Sequence, residues 1–264
     1  MKFEFHTFTL SNGLRVIHKE VPRSASHVAL VVNAGSRDES SGEEGVAHFI
    51  EHCLFKGTKK RKTFHVLNRL ERVGGDLNAY TTKEETWISA SFLERDLARA
   101  IELVSDISFN STFPEKEIAK EQEVILDEIA SVLDNPSDVI FDEFEERLFG
   151  THPLGRTILG TQESVNNLGK LQINSFVDRY YCPDQMVFAS VGSTPIADLK
   201  KLCEKYLSHE IGRVSKLNRL VPKAIPVFDE RVEQDTHQVH HLLGGITSGA
   251  NHADKLPLSL LSNY

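Results

Sequence analysis

Residues 45–58 read GVAHFIEHCLFKGT, and the conformation of this stretch decides what the rest of the chain is for. On a helix advancing ~100° per residue, His48 and His52 lie ~40° apart on one face, a spacing that lets two imidazoles reach one metal ion. Glu51 falls one turn from His48 and next to His52. There a carboxylate can overhang a metal without ligating it and accept a proton from water. Val46, Phe49, Ile50 and Leu54 make the same segment largely apolar, so the histidines interrupt an element otherwise suited to burial. Buried polar groups need partners, and a metal satisfies both rings. Zinc is the default ion, because imidazole and carboxylate suit it and it is a Lewis acid without redox chemistry. The competing reading is a helix with a solvated polar face. With 12 histidines in the chain, the motif alone does not decide between them.

Upstream, FHTFTL and LRVIHKE alternate polar and apolar residues around Ser11-Asn12-Gly13, a hairpin turn, and SHVALVVNAG is a β-branched strand closed by Gly35. Ser41 with Glu44 three residues on reads as a capping box for the motif helix, and Gly57 as its stop. Downstream, a helix over 63–73 ends at Gly74-Gly75, which is a helix stop with no phosphate-loop context. LNAYTTKEETWISASFL then gives two short strands. Residues 93–108 form an amphipathic helix with Leu97, Ile101, Val104 and Ser108 near one face. Pro114 starts a further helix running to about Leu133 and stopped by Asn135-Pro136. Helices over 137–149, 162–168 and 170–181, a strand at QMVFASVG and a helix over 195–207 complete the unit. This order lacks a regular βαβ beat, so the fold class is α+β, an antiparallel or mixed β-sheet packed against helices.

The domain reading is 1–209 as the site-bearing domain, 210–228 as a linker rich in proline and basic residues, and 229–264 as the start of a second domain. HQVHHLLGGITSG reads as a strand and ADKLPLSLLSNY as the first turns of a helix. That is too little to enclose a core. In HQVHHLLGGITSG, His237 and His241 share a strand face while His240 points away, and no carboxylate is interleaved, so this cluster is not taken as a metal site.

A 40% hydrophobic chain of 264 residues can bury a full core. Its net charge of −8 argues against nucleic acid or an anionic membrane as partner. Cys53, Cys182 and Cys203 are odd in number and have no ligand spacing, which favours a reducing compartment over a disulfide framework. Cys53 lies ~140° from His48 around the helix and is a packing residue. No signal peptide or membrane-spanning run is seen, so the expected location is cytoplasmic.

A hydrolytic zinc site has three protein ligands and an open position. Glu117, Glu121, Glu123 and Glu128 are the candidates on the helix after Pro114; Glu121 and Glu128, seven apart, share a face, and spacing does not choose between them.

The order H-x-x-E-H is the inverzincin motif. Together with LSNGLRVI, NAGSRDES, GGDLNAYTTKEETW, EQEVILDEIA and HPLGRTILGT, in order over most of residues 7–195, it resembles the pitrilysin/insulinase zinc peptidases, which include the mitochondrial processing peptidase. The resemblance implies the metallohydrolase fold of that family and one Zn2+ per chain. It places the third ligand about 76 residues beyond the second histidine, at Glu128. It makes Glu121 a carboxylate that orients a ligand or the site water, against a reading of Glu121 as part of a solvated acidic face. It also makes Asn78, Ala79, Tyr80 and Thr81 an edge strand that binds extended peptide by backbone pairing.

The implied function is a zinc-dependent endopeptidase acting on a peptide or unfolded protein. Zinc on His48, His52 and Glu128 lowers the pKa of water, and Glu51 takes its proton and returns it to the leaving amine. Members resembling this chain have a second, similarly folded half that brings an arginine and a tyrosine to the substrate. A chain without that half is expected to bind zinc and to cleave poorly or not at all, with a homodimer or partner subunit as further possibilities. The alternative within the resemblance is a non-catalytic peptide-binding subunit. A third reading is a zinc hydrolase of small molecules.

Overall fold

The structure, a computed structural model, describes residues 4–209, 217–223, 226–233, 237–247, 249 and 252–262. Alternation in the first sixty residues becomes three strands, β1 (His6–Thr9), β2 (Arg15–Glu20) and β3 (Ala25–Val32). Gly13 takes φ of +92° in the turn between β1 and β2, a left-handed position that glycine enters at little cost. The motif stretch is helix α1 (Val46–Leu54), followed by α2 (Thr63–Glu71), and two further strands, β4 (Asp76–Thr81) and β5 (Thr86–Leu93), come next. The rest is mainly helical: α3 (Leu97–Phe109), α4 (Glu115–Leu133), α5 (Pro136–Phe149), α6 (Gln162–Asn167), α7 (Lys170–Tyr180), strand β6 (Met186–Gly192), α8 (Ile196–Leu207) and α9 (Lys255–Leu261). The break between α4 and α5 is chemical: Asn135 caps α5 by accepting from Ser137 N, and Pro136 occupies the first turn, where its missing N–H costs nothing.

The six strands make one mixed sheet in the order β1-β2-β6-β3-β5-β4. β6 inserts between β2 and β3, parallel to β2 and antiparallel to β3, while β4 pairs antiparallel with β5 at the edge. In β3, Ser26, Val28, Leu30 and Val32 are buried and the alternate residues are not. The sheet therefore buries one face under helices, as α1, α2 and α3 pack against β3, β4 and β5. Phe49, Ile50 and Leu54 of α1 are fully buried together with Leu30, Ile88 and Phe188 of the sheet. Burial of each such side chain stabilises the fold by about 1.5–3 kcal/mol, which is what docks α1 rigidly against the sheet.

The fold class agrees with the expectation of helices packed on a mixed sheet. Two local expectations do not hold. The described residues of the stretch at 237–249 form no strand and carry no ladder. The edges of the sheet are β1 and β4, neither pairs with this stretch, and alternation without a neighbouring backbone does not make a strand. Ser41 and Glu44 do not cap α1: its N-cap is Gly45, and Glu44 Oε2 accepts instead from Gly42 N. Among the described residues, no helix is long and apolar enough to cross a membrane.

Candidate metal centre

Helix α1 starts at Gly45, which caps it in the left-handed region at φ 91° and offers no side chain. The N–H groups at the start of the helix, which have no partner within it, are met by a carboxyl group from outside the helix. Glu39 Oε2 accepts from Gly45 N and Glu39 Oε1 from Ala47 N, both at 2.9 Å. The positive end of the helix dipole favours the ionised form of a carboxyl placed there. Glu39 is buried, and burial pushes its pKa up to about 8 against the pull of the two N–H groups and of Arg156. Sequence reading missed this residue, because its partners are backbone groups six and eight positions away.

The start of α1 is also fixed by contact. A Cβ on Gly45 would stand 2.5 Å from Leu159 O, and one on Gly160 would stand 2.4 Å from Glu44 O. The loop from HPLGRTILGT thus lies backbone to backbone against the entry to α1, which only glycine permits.

From this anchored helix, His48 and His52 point toward α4. Glu128 Oε2 lies 3.7 Å from His48 Nε2 and 3.6 Å from His52 Nε2. One donor atom from each of His48, His52 and Glu128 falls within 4.8 Å of the others, and among the described residues this is the one such cluster of histidine, cysteine and acidic side chains. Donors bound at ~2.1 Å around a tetrahedral zinc sit roughly 3.4 Å apart, so the three donors fit a zinc ion with small adjustments. His48 is buried, and burial, with His52 beside it, holds its pKa down to about 4. Its imidazole is therefore unprotonated at neutral pH, as a metal ligand must be.

Glu121 occupies a different place. Its Oε2 lies 3.2 Å from His52 Nδ1 and its Oε1 accepts from Lys56 Nζ at 2.8 Å. A carboxylate on Nδ1 fixes the ring and leaves Nε2 as the outward nitrogen. The two glutamates that share a helical face in the sequence therefore divide the work: Glu128 faces both imidazole Nε2 atoms, and Glu121 backs one ring. Lys56 was not singled out from the sequence, where a lysine two residues past the helix gives no signal.

Glu51 is held from the sheet. Thr81 Oγ1 donates to Glu51 Oε2 at 2.6 Å. Burial pushes the Glu51 carboxyl up, and the proximity of Glu128 adds to this, while Thr81 and His52 oppose it. Thr81 closes β4, the edge strand. Along that strand Asn78 and Tyr80 are exposed and Ala79 is buried; Asn78 Oδ1 accepts from Ala79 N, and the Tyr80 ring stacks on Trp87 at 5.6 Å. Among the described residues, no strand neighbours the backbone on the outer side of β4. Cys53 is buried with its thiol pushed up to about 12 by burial, which suits packing and not ligation. His237, His240 and His241 take part in no metal-competent cluster among the described residues.

The family description Insulinase (Peptidase family M16) matches residues 15–162, and Peptidase M16 inactive domain matches residues 167–264. The boundary between them falls inside one sheet, since β6 lies between β2 and β3. An uncharacterised zinc protease of Mycobacterium leprae is 38% identical over 96% of this chain and 58% of its own length. The mitochondrial-processing peptidase subunit beta of Bos taurus is 34% identical over 97% of this chain and 53% of its own length. The periplasmic protease PqqL of Escherichia coli has a TM-score of 0.77 at 28% identity, covering 83% of this chain and 25% of that one. The chain spans little more than half the length of the curated relatives it matches.

Proposed function

The chain belongs to the insulinase family of peptidases, and from that premise we propose that it is the metal-holding half of a zinc-dependent endopeptidase acting on extended peptides. The observation that carries the reading is the convergence of His48, His52 and Glu128 donors within 4.8 Å of one another, with Glu51 held beside them by Thr81. Zinc bound by these three residues supplies Lewis acidity toward water and a substrate carbonyl. The chain's own groups do the rest. Glu121 keeps His52 turned so that Nε2 faces Glu128. Glu51, as general base, takes a proton from the attacking water at a carboxylate oxygen and hands it to the leaving amine. The outer backbone of β4, over Asn78, Ala79, Tyr80 and Thr81, pairs with an extended peptide, which gives affinity with little dependence on side chains.

In this reading residues 1–209 are the zinc-holding domain, 210–228 connect it to a second unit, and 229–264 belong to that unit. Zinc binding is a property of this chain, whereas efficient cleavage requires the additional length that the relatives have. Metal analysis should find one zinc per chain, lost in His48→Ala and kept in Glu51→Gln. Loss of zinc in Glu51→Gln would make Glu51 a ligand and sink the assignment of the base. With the remaining length supplied, an internally quenched peptide should be cleaved, and Glu51→Gln should abolish cleavage. Zinc and peptide binding with no cleavage in the longer protein would instead favour a peptide-binding subunit.

A further inference from the structure

Three of the stretches that carry the resemblance contain residues with no part in the metal centre: NAGSRDES, the turn Thr82 to Glu85, and HPLG. In the structure these residues meet around one dipeptide, Arg219-Leu220, in the segment between the two proposed units. The Arg219 guanidinium forks onto Asp38, Nε to Oδ1 at 2.9 Å and Nη2 to Oδ2 at 2.7 Å. The same guanidinium reaches Asn33 Oδ1 at 3.0 Å and the carbonyl of Glu84 at 2.7 Å. The carbonyl of Leu220 is engaged by Arg37 Nη2 and lies 3.0 Å from His152 Nε2, and Arg37 pairs in turn with the Glu84 carboxylate.

This arrangement is more than a surface ion pair. The Asp38 side chain is 4% exposed and that of Arg219 20%, and Asp38 Oδ2 also accepts from Gly35 N. A planar guanidinium that fills a bidentate carboxylate and three further acceptors, Asn33 Oδ1, the Asn33 carbonyl and the Glu84 carbonyl, is specific in a way a lysine is not. The receptor lies at the turn that follows Thr81. Ser36 N and Arg37 N donate to the carbonyls of Thr82 and Lys83 at 3.2 and 2.7 Å, so the Asp38 side of the receptor and the β4–β5 turn form one hydrogen-bonded body. We infer that Arg219 is a positioning residue: with Leu220 it latches the connecting segment into a receptor shared with the β4–β5 turn, and so sets the placement of the edge strand β4. The consequence for peptide binding rests on the endopeptidase reading; the latch itself does not.

The test has two arms. In the first, hydrogen exchange is measured on this chain and on Arg219→Ala and Arg219→Lys. Amides of residues 82–86 and 36–38 should exchange about tenfold faster in both variants, with α3 and α8 unchanged as the control for folding. Faster exchange confined to 217–223 would overturn the inference, since Arg219 would then only tether its own segment. Full protection in Arg219→Lys would also overturn it, because an ammonium cannot reproduce the fork. In the second arm, the longer protein is assayed on an internally quenched decapeptide pool. Arg219→Ala should raise KM about tenfold with kcat within about twofold and zinc content unchanged. A loss confined to kcat would overturn the link to β4. If the parent protein cleaves nothing, the peptidase reading fails while the exchange arm still decides the latch.

Discussion

Thr81 Oγ1 donates a 2.6 Å hydrogen bond to Glu51 Oε2, joining the last residue of the edge strand to the proposed general base on α1. The residue that would pair its backbone with a peptide thus also orients the carboxylate that would act on that peptide. In the proposed mechanism, peptide placement by the Thr81 backbone and proton transfer by Glu51 would share one residue. Thr81→Val removes the donor and keeps the shape. In the longer protein it should lower kcat about tenfold, roughly the worth of one hydrogen bond to a charged group, with zinc content intact. Thr81→Ser should recover most of the rate. An unchanged kcat in Thr81→Val would show that Glu51 needs no support from the sheet.

Glu121 and Glu128 should separate in metal binding. Glu121→Gln removes the carboxylate behind His52 and the partner of Lys56, and should weaken zinc by about 10- to 100-fold, the usual cost of losing a group that orients a ligand. Glu128→Gln removes the negative charge of the proposed third ligand and should weaken it further. Competition against a chromophoric chelator measures both, and equal affinities in the two variants would contradict the division of roles.

Glu39 makes stability depend on pH. Its carboxyl is held up to about 8 in the folded chain against an ordinary value of 4.5. Between these values the folded state keeps a proton that the unfolded state has released, so stability falls as pH rises through this window, at up to ~1.4 kcal/mol per unit. Glu39→Gln should flatten that slope. It should also lower overall stability by about 1–3 kcal/mol, because an amide NH2 replaces one of two acceptors facing buried N–H groups. Thermal unfolding of the metal-free chain from pH 5 to 8 tests this, and an identical slope in both proteins would refute it.

Gly45 and Gly160 should be intolerant of a methyl group. Both have positive φ, 91° and 76°, and a Cβ on either would meet backbone oxygen of the other's loop. Gly45→Ala should cost more than about 2 kcal/mol, the sum of an unfavourable backbone region and the clash. Because the entry to α1 carries the histidines, zinc affinity should fall with it. Denaturant midpoints and zinc titration on the same samples check this, and a near-neutral substitution would mean that the two loops can move apart.

The sequence by itself determined α1, since periodic apolar residues around His48, Glu51 and His52 require a helix with one buried face, and that helix brings two imidazoles to one side. It also determined the helix breaks at Gly74-Gly75 and Asn135-Pro136, where the local chemistry of glycine, capping and proline leaves little choice, and the mixture of strands with helices. Tertiary structure alone decided the strand order, because β6 reaches its place between β2 and β3 from more than 150 residues away, and nothing local specifies a partner at that distance. It set which of two glutamates on one helical face meets both imidazoles, a choice that spacing left open and that only the family resemblance had placed at Glu128, through the packing of α4 against α1. It set Glu39 under the first turn of α1 where Ser41 and Glu44 had the local signature, because a carboxyl group delivered by the fold can meet two N–H groups at once. And it brought Arg219 to Asp38. Local interactions are written in neighbouring residues, whereas these depend on which surfaces the buried core brings together.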